Sequence, residues 1–170
     1  MSTFTIIVPT FNEKDNLSRL ESELMKFINS TKFKTKVLII NDGSTDGSKE
    51  IIEKLCNNNN CFESISFVRN CGLSSALKAG FDLCNSEYIG YIDADLQTSP
   101  SDFHVLLEYV DNYDLVTGYR SNRKDAYLKN ISSLIANGIR NIFTSDGVKD
   151  TGCPLKVIKT DFAKRIPMFK

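Results

Sequence analysis

The feature that most constrains the fold of this chain is a repeated alternation between short apolar runs and segments of helical periodicity. Each apolar run is rich in β-branched residues, and a polar turn separates it from the next helical segment. This order predicts strand–helix–strand units, and therefore an α/β fold with a mostly parallel, Rossmann-like sheet flanked by helices. The predicted strands are Phe4–Val8, Lys36–Ile40, Ser64–Val68, Tyr88–Ile92 and the short Leu115–Thr117.

The predicted helices lie between these strands. Either Asn12 or Asp15 could cap the first helix, and Ser99 and Pro100 have the residue types preferred at the start of the fourth. The lone His104 falls inside that fourth helix, and we expect it to be structural. The helical positions are Leu17 to Ile28, Ile51 to Leu55, Gly72 to Cys84 with Leu73 on the apolar face, 100–110 and 126–143.

Length and cysteine usage limit the class of protein. With 170 residues the chain is predicted to form a single domain with a real core. Its five cysteines include no C-x-x-C pair, which argues against a disulfide framework or a zinc site and favours a reducing compartment. No run approaches the 18 apolar residues of a membrane-spanning helix.

Charge is distributed unevenly along the chain. Residues 1–119 hold 10 basic and 17 acidic residues, whereas residues 120–170 hold 11 basic and 4 acidic residues. The basic segment predicts a partner that carries phosphate or is a membrane surface, the alternative being a solvated basic face. Its basic cluster comprises Arg120, Arg123, Lys124, Lys129 and Arg140.

Most of the unusual chemistry follows directly after the predicted strands. In open parallel sheets ligands bind at the carboxyl ends of the strands, so these positions are expected to share one edge. The four segments there are Pro9–Glu13, Asp42–Asp46, Arg69–Gly72 and Asp93–Gln97.

The strongest local signal is Asp93-Ala-Asp-Leu-Gln97. If extended geometry persists beyond the strand, Asp93 and Asp95 point the same way. Two converging carboxylates are costly unless a cation or proton relieves them, and Mg²⁺ or Mn²⁺ shared with substrate phosphates is a common solution. A pair of solvated loop acids is the alternative.

The segment from Asp42 to Glu53 matches the spacing of a calcium-binding EF-hand loop. We reject this interpretation because a strand rather than a helix precedes it, and because Lys49 occupies a position that is usually apolar. The segment is better explained as a strand-to-helix turn in which Asp42 meets a ligand and Ser44 or Asp46 caps the next helix. Neither an ATP-binding P-loop nor a dinucleotide fingerprint occurs in the sequence.

Taken together and in order, these motifs resemble family 2 glycosyltransferases of the GT-A fold. Two further stretches resemble the polyprenyl-phosphate branch of that family, which includes dolichyl-phosphate mannose synthases and undecaprenyl-phosphate sugar transferases. The matching segments are Pro9–Glu13, Asn41–Gly47, Asp93–Gln97 with Pro100, Gly118–Arg120, Ser132–Asn137 and Asp150–Lys156.

The resemblance implies roles for individual residues. Pro9, Phe11, Glu13 and Asp42 would hold the nucleoside. Further substrate contacts would come from Asp93, Ala94, Gln97, Arg120 and Arg123, with Asp93 on the nucleotide-sugar and Arg120 on the donor or acceptor phosphate. Asp95 and Gln97 would ligate Mg²⁺ or Mn²⁺. The catalytic set would be Asp93, Asp95, Arg120 and Lys129, although Lys129 stands where the branch often has Arg and so lacks bidentate phosphate geometry.

The resemblance also implies an activity: inverting transfer of a sugar from a nucleoside diphosphate to a polyprenyl phosphate at the cytoplasmic face of a membrane. The sequence does not name the base of the donor; we favour a UDP-sugar, and a GDP-sugar stays open. Residues 1–119 would bind the donor. Residues 120–170 would form an incomplete acceptor side, since members of the branch continue beyond Lys170. Two alternatives stay open: transfer to a saccharide hydroxyl, with Asp146 or Asp150 as base, and a catalytically silent nucleotide-sugar-binding module.

Overall fold

The computed structural model describes residues 1–118, 153 and 155–168. Six strands form one sheet in the order β3-β2-β1-β4-β6-β5. Strand β1 pairs in parallel with β2 and β4, β2 pairs in parallel with β3, and β4 pairs antiparallel with β6. The strands are β1 Thr3–Thr10, β2 Lys34–Asn41, β3 Phe62–Ser66, β4 Tyr88–Tyr91, β5 Leu115–Thr117 and β6 Lys156–Lys159.

The α/β architecture predicted from the apolar runs is confirmed, with shifts at the ends of elements. The first two strands are longer than predicted, and β3 begins two residues earlier. Neither β6 nor the helix after it was anticipated. The helices are α1 Leu17–Ser30, α2 Ser48–Asn58, α3 Leu73–Leu83, a 3₁₀ turn Pro100–Asp102 continuing into α4 Phe103–Leu107, and α5 Thr160–Arg165; the predicted helix 126–143 lies outside the described residues.

One face of the sheet is covered by an aromatic cluster. The rings of Phe4, Phe27 and Phe103 are fully buried, and the Phe4 and Phe103 rings meet edge to face with their centroids 5.3 Å apart. Gly90 in β4 makes room for them, because a Cβ added there would lie 2.6 Å from the Phe4 ring and 2.7 Å from the Phe103 ring. The cluster fixes α1 and α4 on this side of the central strands.

The opposite face is aliphatic and packs against α3 and α5. Ile7 of β1 and Ile40 of β2 contact a buried group that includes Leu77 of α3 and Ala163 of α5. Leu73 was expected on the buried face of α3, but its side chain is 54% exposed. It is the first residue of the helix, where the chain still turns away from the sheet.

The ends of the helices test the predicted capping residues. Neither Asn12 nor Asp15 caps α1, whose N-cap is Asn16 without a side-chain bond. Ser99 is confirmed as the cap before Pro100, and its hydroxyl accepts a hydrogen bond from the Ser101 N–H.

His104 lies in α4, as predicted. Its Nε2 is 3.0 Å from the Ser30 hydroxyl, and its ring centroid is 4.8 Å from that of Phe27. These contacts tie α4 to the C-terminal end of α1. They support a structural role for His104.

The chain divides into two compact units, Met1–Val116 with Pro154–Lys170, and Thr117–Cys153. The strand-end segments after β1, β2, β3 and β4 all belong to the first unit. All five cysteines are free thiols. Within the described part of the chain no helix is long and apolar enough to cross a membrane.

Tyr88 gives the fold a measurable dependence on alkaline pH. Burial first, and then the charges of Glu87 and Asp111, raise the pKa of its phenol to about 12 from an ordinary value of 10.0. The folded state therefore keeps a proton that the unfolded chain releases, and stability falls as the pH rises from 10 towards 12. Tyr88→Phe should reduce this fall by on the order of 1–2 kcal/mol.

The measurement is urea unfolding of both proteins at several pH values in that window. Tyr113→Phe is the matched control, because the Tyr113 side chain is 60% exposed. If the free energy of unfolding depends on pH equally in the wild type and in Tyr88→Phe, the raised pKa of the Tyr88 phenol is contradicted.

Candidate functional site

The turns after β1 and β2 are joined to each other by hydrogen bonds. The Asn12 backbone N–H donates to the Ser44 hydroxyl at 3.0 Å, and the Thr45 N–H donates to Asn12 Oδ1 at 2.8 Å. Asn12 has a φ of 56°, in the left-handed region where Asn is one of the better-tolerated residues. Its predicted role as a helix cap is therefore replaced by a bridge between two turns.

A second pair of bonds joins the same turns nearer to α2. The Glu13 N–H donates to the hydroxyl of the fully buried Ser48 at 3.1 Å, and the Lys14 N–H donates to Asp46 Oδ2 at 3.1 Å. Four bonds therefore hold these two strand-end turns as one unit. This network of bonds was not predicted from the sequence. A serine at the start of a helix, two residues after an aspartate, is a pattern that could have indicated it.

The Asp46 carboxylate accepts hydrogen bonds at the start of α2, but the N-cap residue of this helix is Gly47. Its Oδ1 accepts from both the Ser48 N–H and the Ser48 hydroxyl, at 2.9 and 2.6 Å. The bond from that hydroxyl is the main reason why the pKa of Asp46 lies below its ordinary value. The predicted cap at Ser44 is wrong, because the Ser44 hydroxyl accepts from Asn12 instead.

Asp42 lies at the end of β2 and is only 4% exposed. Its Oδ1 accepts from the Cys71 N–H at 2.6 Å, and its Oδ2 accepts from the Gly72 N–H at 2.8 Å. Both carboxylate oxygens are thus used to hold the turn before α3. The predicted contact of Asp42 with a nucleoside stays a prediction.

Asn41, where many members of the resembled family have Asp, is 1% exposed and fully bonded. Its Oδ1 accepts from the Ser44 N–H at 3.0 Å, and its Nδ2 donates to the Ser66 hydroxyl at 3.2 Å. A neutral amide supplies one acceptor and one donor here without burying a second charge beside Asp42. The residue therefore links the turn after β2 to the end of β3.

The acidic segment after β4 forms a tight turn. The strand ends at Tyr91, and the Leu96 N–H donates to the Asp93 carbonyl at 3.3 Å. Leu96 has a φ of 55°, a conformation that costs a residue with a Cβ about 1–2 kcal/mol. The expected extended geometry across Asp93 and Asp95 is therefore wrong, since the backbone reverses direction there.

Within this turn Asp95 is half-buried and Gln97 is exposed. Asp95 Oδ1 accepts from the Gln97 N–H at 3.1 Å. Ala94 is 3% exposed, and its predicted contact with a substrate stays a prediction. The oxygens of Asp93, Asp95 and Gln97 are hard donors of the kind preferred by Mg²⁺ and Mn²⁺.

The remaining predicted residues of the first unit are placed as follows. Pro9 is half-buried and pairs within β1 with Ile40 of β2, so it belongs to the strand itself. Phe11 is 44% exposed directly after β1, and its predicted role as an aromatic wall stays a prediction. Glu13 Oε2 accepts from Asn16 Nδ2 at 2.6 Å.

Several predicted residues fall in the part of the chain that is not described. They belong to the proposed phosphate cluster and to the alternative base, and their roles stay predictions. These residues are Arg120, Arg123, Lys129, Asp146 and Asp150.

The donor set was tested for its ability to bind a metal ion. Across residues 1–118, 153 and 155–168, no three side chains of the His, Cys, Asp or Glu type are grouped closely enough to hold one. The acidic turn instead fits an ion held by one or two protein oxygens and completed by phosphate oxygens.

The fold and this edge define an α/β protein of the GT-A glycosyltransferase type. A mannosyltransferase from Pyrobaculum calidifontis, solved with GDP-Man and Mn²⁺, matches 99% of this chain and 48% of its own at 18% identity, with a TM-score of 0.68. Glucosyl-3-phosphoglycerate synthase from Mycobacterium tuberculosis, solved with Mn²⁺, UDP and glucosyl-3-phosphoglycerate, matches 94% of this chain and 57% of its own at 15% identity, with a TM-score of 0.71.

The chain belongs to glycosyl transferase family 2, whose pattern matches residues 5–164. It is 29% identical over 162 residues to an undecaprenyl-phosphate 4-deoxy-4-formamido-L-arabinose transferase of Edwardsiella ictaluri, covering 94% of this chain and 50% of the relative. It is 28% identical over 168 residues to a dodecaprenyl-phosphate galacturonate synthase of Rhizobium johnstonii, and this match covers 96% of this chain and 50% of the relative. The chain thus spans about half the length of these relatives.

Proposed function

We propose that this chain carries the donor-binding and catalytic part of a glycosyltransferase that moves a sugar from a nucleoside diphosphate to a polyprenyl phosphate. The observation that carries the proposal is the similarity, along nearly the whole chain, to relatives whose names specify polyprenyl-phosphate acceptors. The strand-end edge supports it with a bonded pair of turns and a half-buried acidic turn.

The donor would lie along this edge. Phe11 would cover one side of the nucleoside, and the turns after β1 and β2 would meet its polar groups through backbone and side chains. We favour a UDP-sugar over a GDP-sugar. The rigid connection between the two turns supports this placement, because preorganised loops lose little entropy when a ligand binds.

Asp95 and Gln97 would hold Mg²⁺ or Mn²⁺ together with the donor diphosphate. When bound, the ion neutralises charge that builds up on the departing diphosphate. Asp93, in the same turn, would orient the nucleotide-sugar so that its anomeric carbon faces the acceptor. These residues would act through position and electrostatics.

The acceptor chemistry needs little help from a base. A phosphate oxygen of the polyprenyl phosphate is already anionic, so it can form the new bond to the anomeric carbon directly. The bond between that carbon and the diphosphate oxygen breaks, and the diphosphate leaves with the electron pair. Attack from the opposite face inverts the anomeric configuration.

Calorimetric titration of the chain with UDP, GDP and their sugars, with Mn²⁺ and with EDTA, tests the donor half of the proposal. We expect binding that requires the metal and is stronger for UDP. Transfer to a polyprenyl phosphate is then assayed with radiolabelled sugar in detergent or vesicles containing a membrane-anchored acceptor. Transfer to a saccharide hydroxyl but not to a polyprenyl phosphate would favour the first alternative. Nucleotide binding without transfer to either acceptor, by this chain and by longer forms of the protein, would favour a catalytically silent binding module.

A basic residue beyond the donor edge provides a test of the acceptor half. Lys129, with Arg120 and Arg123, belongs to a cluster that we propose to serve phosphates. In a form of the protein that is active on lipid acceptor, Lys129→Ala should raise the KM for polyprenyl phosphate about tenfold, with little change in donor affinity. Steady-state kinetics with each substrate varied separately measures both.

Lys149→Ala, in the basic segment 120–170 but outside this cluster, is the control for a general loss of positive charge. An equal loss of donor and acceptor affinity in Lys129→Ala would assign the residue to the donor site or to structure.

A further inference from the structure

We infer that Ser48, the first residue of α2, is a positioning residue for the donor, because it holds the turn after β1 in the shape that nucleotide binding needs. The inference rests on the proposed function, which places the donor nucleoside against this turn. It deepens that proposal by adding to the donor-binding machinery a residue that the sequence did not single out.

The first support is the burial and bonding of the Ser48 side chain. It is 0% exposed, and its hydroxyl accepts from the Glu13 N–H at 3.1 Å while it donates to Asp46 Oδ1 at 2.6 Å. A hydroxyl can donate and accept at once, so this one group joins the backbone after β1 to the acidic residue before α2. Since none of its surface is exposed, we expect Ser48 to act through the groups that it bonds.

The second support is the Asp46 carboxylate, which completes the connection. Its Oδ1 also accepts from the Ser48 N–H at 2.9 Å, and its Oδ2 accepts from the Lys14 N–H at 3.1 Å. The successive N–H groups of Glu13 and Lys14 are therefore held by the two members of one bonded pair. Bonds from backbone N–H groups to a charged acceptor are among the stronger ones in proteins, so the pair should fix the backbone between β1 and α1.

The backbone that is held in this way carries predicted donor contacts. Phe11 lies two residues before the first held N–H group, and Glu13 carries it. Glu13 Oε2 accepts from Asn16 Nδ2 at 2.6 Å, so its carboxylate is positioned together with its backbone. Between them Asn12 has a φ of 56°, a conformation that persists only where the surrounding structure maintains it. A turn that already has its bound shape loses less entropy on binding, so loosening it should weaken the affinity.

The test applies two measurements to Ser48→Ala, which removes the hydroxyl and adds no atom. Hydrogen exchange without nucleotide is read by NMR at single amides, and the affinity for UDP is measured by calorimetry at saturating Mn²⁺. Exchange at the Glu13 and Lys14 amides should accelerate at least about tenfold, while amides in the centre of β1 keep their rates. UDP should bind about tenfold more weakly, because the loosened turn must be ordered when the ligand binds.

Glu50→Gln is the matched control. It removes a negative charge from an exposed position in the first turn of α2, and both measurements should stay at their wild-type values. If Ser48→Ala fails to fold, Asp46→Asn decides the question by the same two measurements, since Asp46 is only half-buried. Asparagine keeps one acceptor oxygen and replaces the other by an NH₂ group, so one of the N–H groups that Asp46 holds loses its acceptor.

Faster exchange with unchanged UDP affinity would overturn the inference and leave Ser48 with a role in stability alone. Weaker UDP binding with unchanged exchange would also overturn it, because the effect would then not pass through the turn. No change in either measurement would show that the turn keeps its shape without Ser48. A wild type that binds no nucleoside diphosphate would instead overturn the proposed function, and this outcome is visible without any variant.

Discussion

Asp95→Asn should weaken the metal-dependent binding of UDP at least tenfold, a loss of about 1.4 kcal/mol or more. The carboxylate lies in the turn after β4, where its Oδ1 accepts from the Gln97 N–H at 3.1 Å. Asparagine retains an oxygen that can accept this bond, so the turn should persist. What the variant loses is the negative charge that we propose to hold a divalent ion against the donor diphosphate.

Calorimetry with UDP at saturating Mn²⁺, repeated in EDTA, measures this effect. The wild type should lose most of its affinity in EDTA, whereas Asp95→Asn should be weak under both conditions. Asp102→Asn is the matched control, because it removes an equal charge from an exposed position in the 3₁₀ turn that follows. Equal affinities of the wild type with and without EDTA would disprove the metal assignment.

Gly43→Ala should destabilise the protein by about 2–4 kcal/mol, from the cost of a left-handed conformation and of overpacking. The added methyl group would meet the backbone of Arg69 and Asn70. Backbone atoms cannot rotate aside as a flexible side chain can, so the two turns must separate. We therefore expect the variant to lose the Asp42 bonds as well and to bind UDP poorly even where it remains folded.

Gly47→Ala separates the cost of the left-handed conformation from the cost of overpacking. Gly47 also has a positive φ, +94°, but a Cβ there would come no nearer than 3.8 Å to Lys14. Urea unfolding of both variants should show a smaller loss in Gly47→Ala, and the difference measures the clash at Gly43. Equal losses would mean that the turns can separate without cost and would contradict the close contact.

The main features of the fold could be predicted from local pattern, because buried parallel strands have continuous apolar runs. The four long runs each gave a strand, and the Ser99-Pro100 pair gave the start of a helix. Strand β6 could not be found in this way. Lys156-Val-Ile-Lys159 is short, and it is stabilised as a strand by antiparallel pairing with β4, a contact between distant parts of the chain.

The sequence predicted which segments lie at the carboxyl ends of the strands, but not which of their atoms hydrogen-bond to one another. The rule that ligands meet the carboxyl ends of strands predicts that these turns lie together at one edge, since it depends only on strand order, and the turns after β1, β2 and β3 do contact one another. The bonds from the Thr45 N–H to Asn12 Oδ1 and from the Cys71 N–H to Asp42 Oδ1 depend on which atoms face each other across turns. The sequence predicted a ligand contact for Asp42, which stays a prediction, but not the bonds that its two oxygens accept from the Cys71 and Gly72 N–H groups.

The position of β6 beside β5 has a consequence for how such a protein can diversify. Strand β5 ends at Thr117 and β6 begins at Lys156, and the two are neighbours in the sheet. The chain between them leaves and re-enters the fold at adjacent points, a topology that tolerates insertion and replacement. A change of length in this stretch therefore need not disturb the register of the central strands, whereas a change of its chemistry would alter the proposed contribution of Arg120 and Lys129.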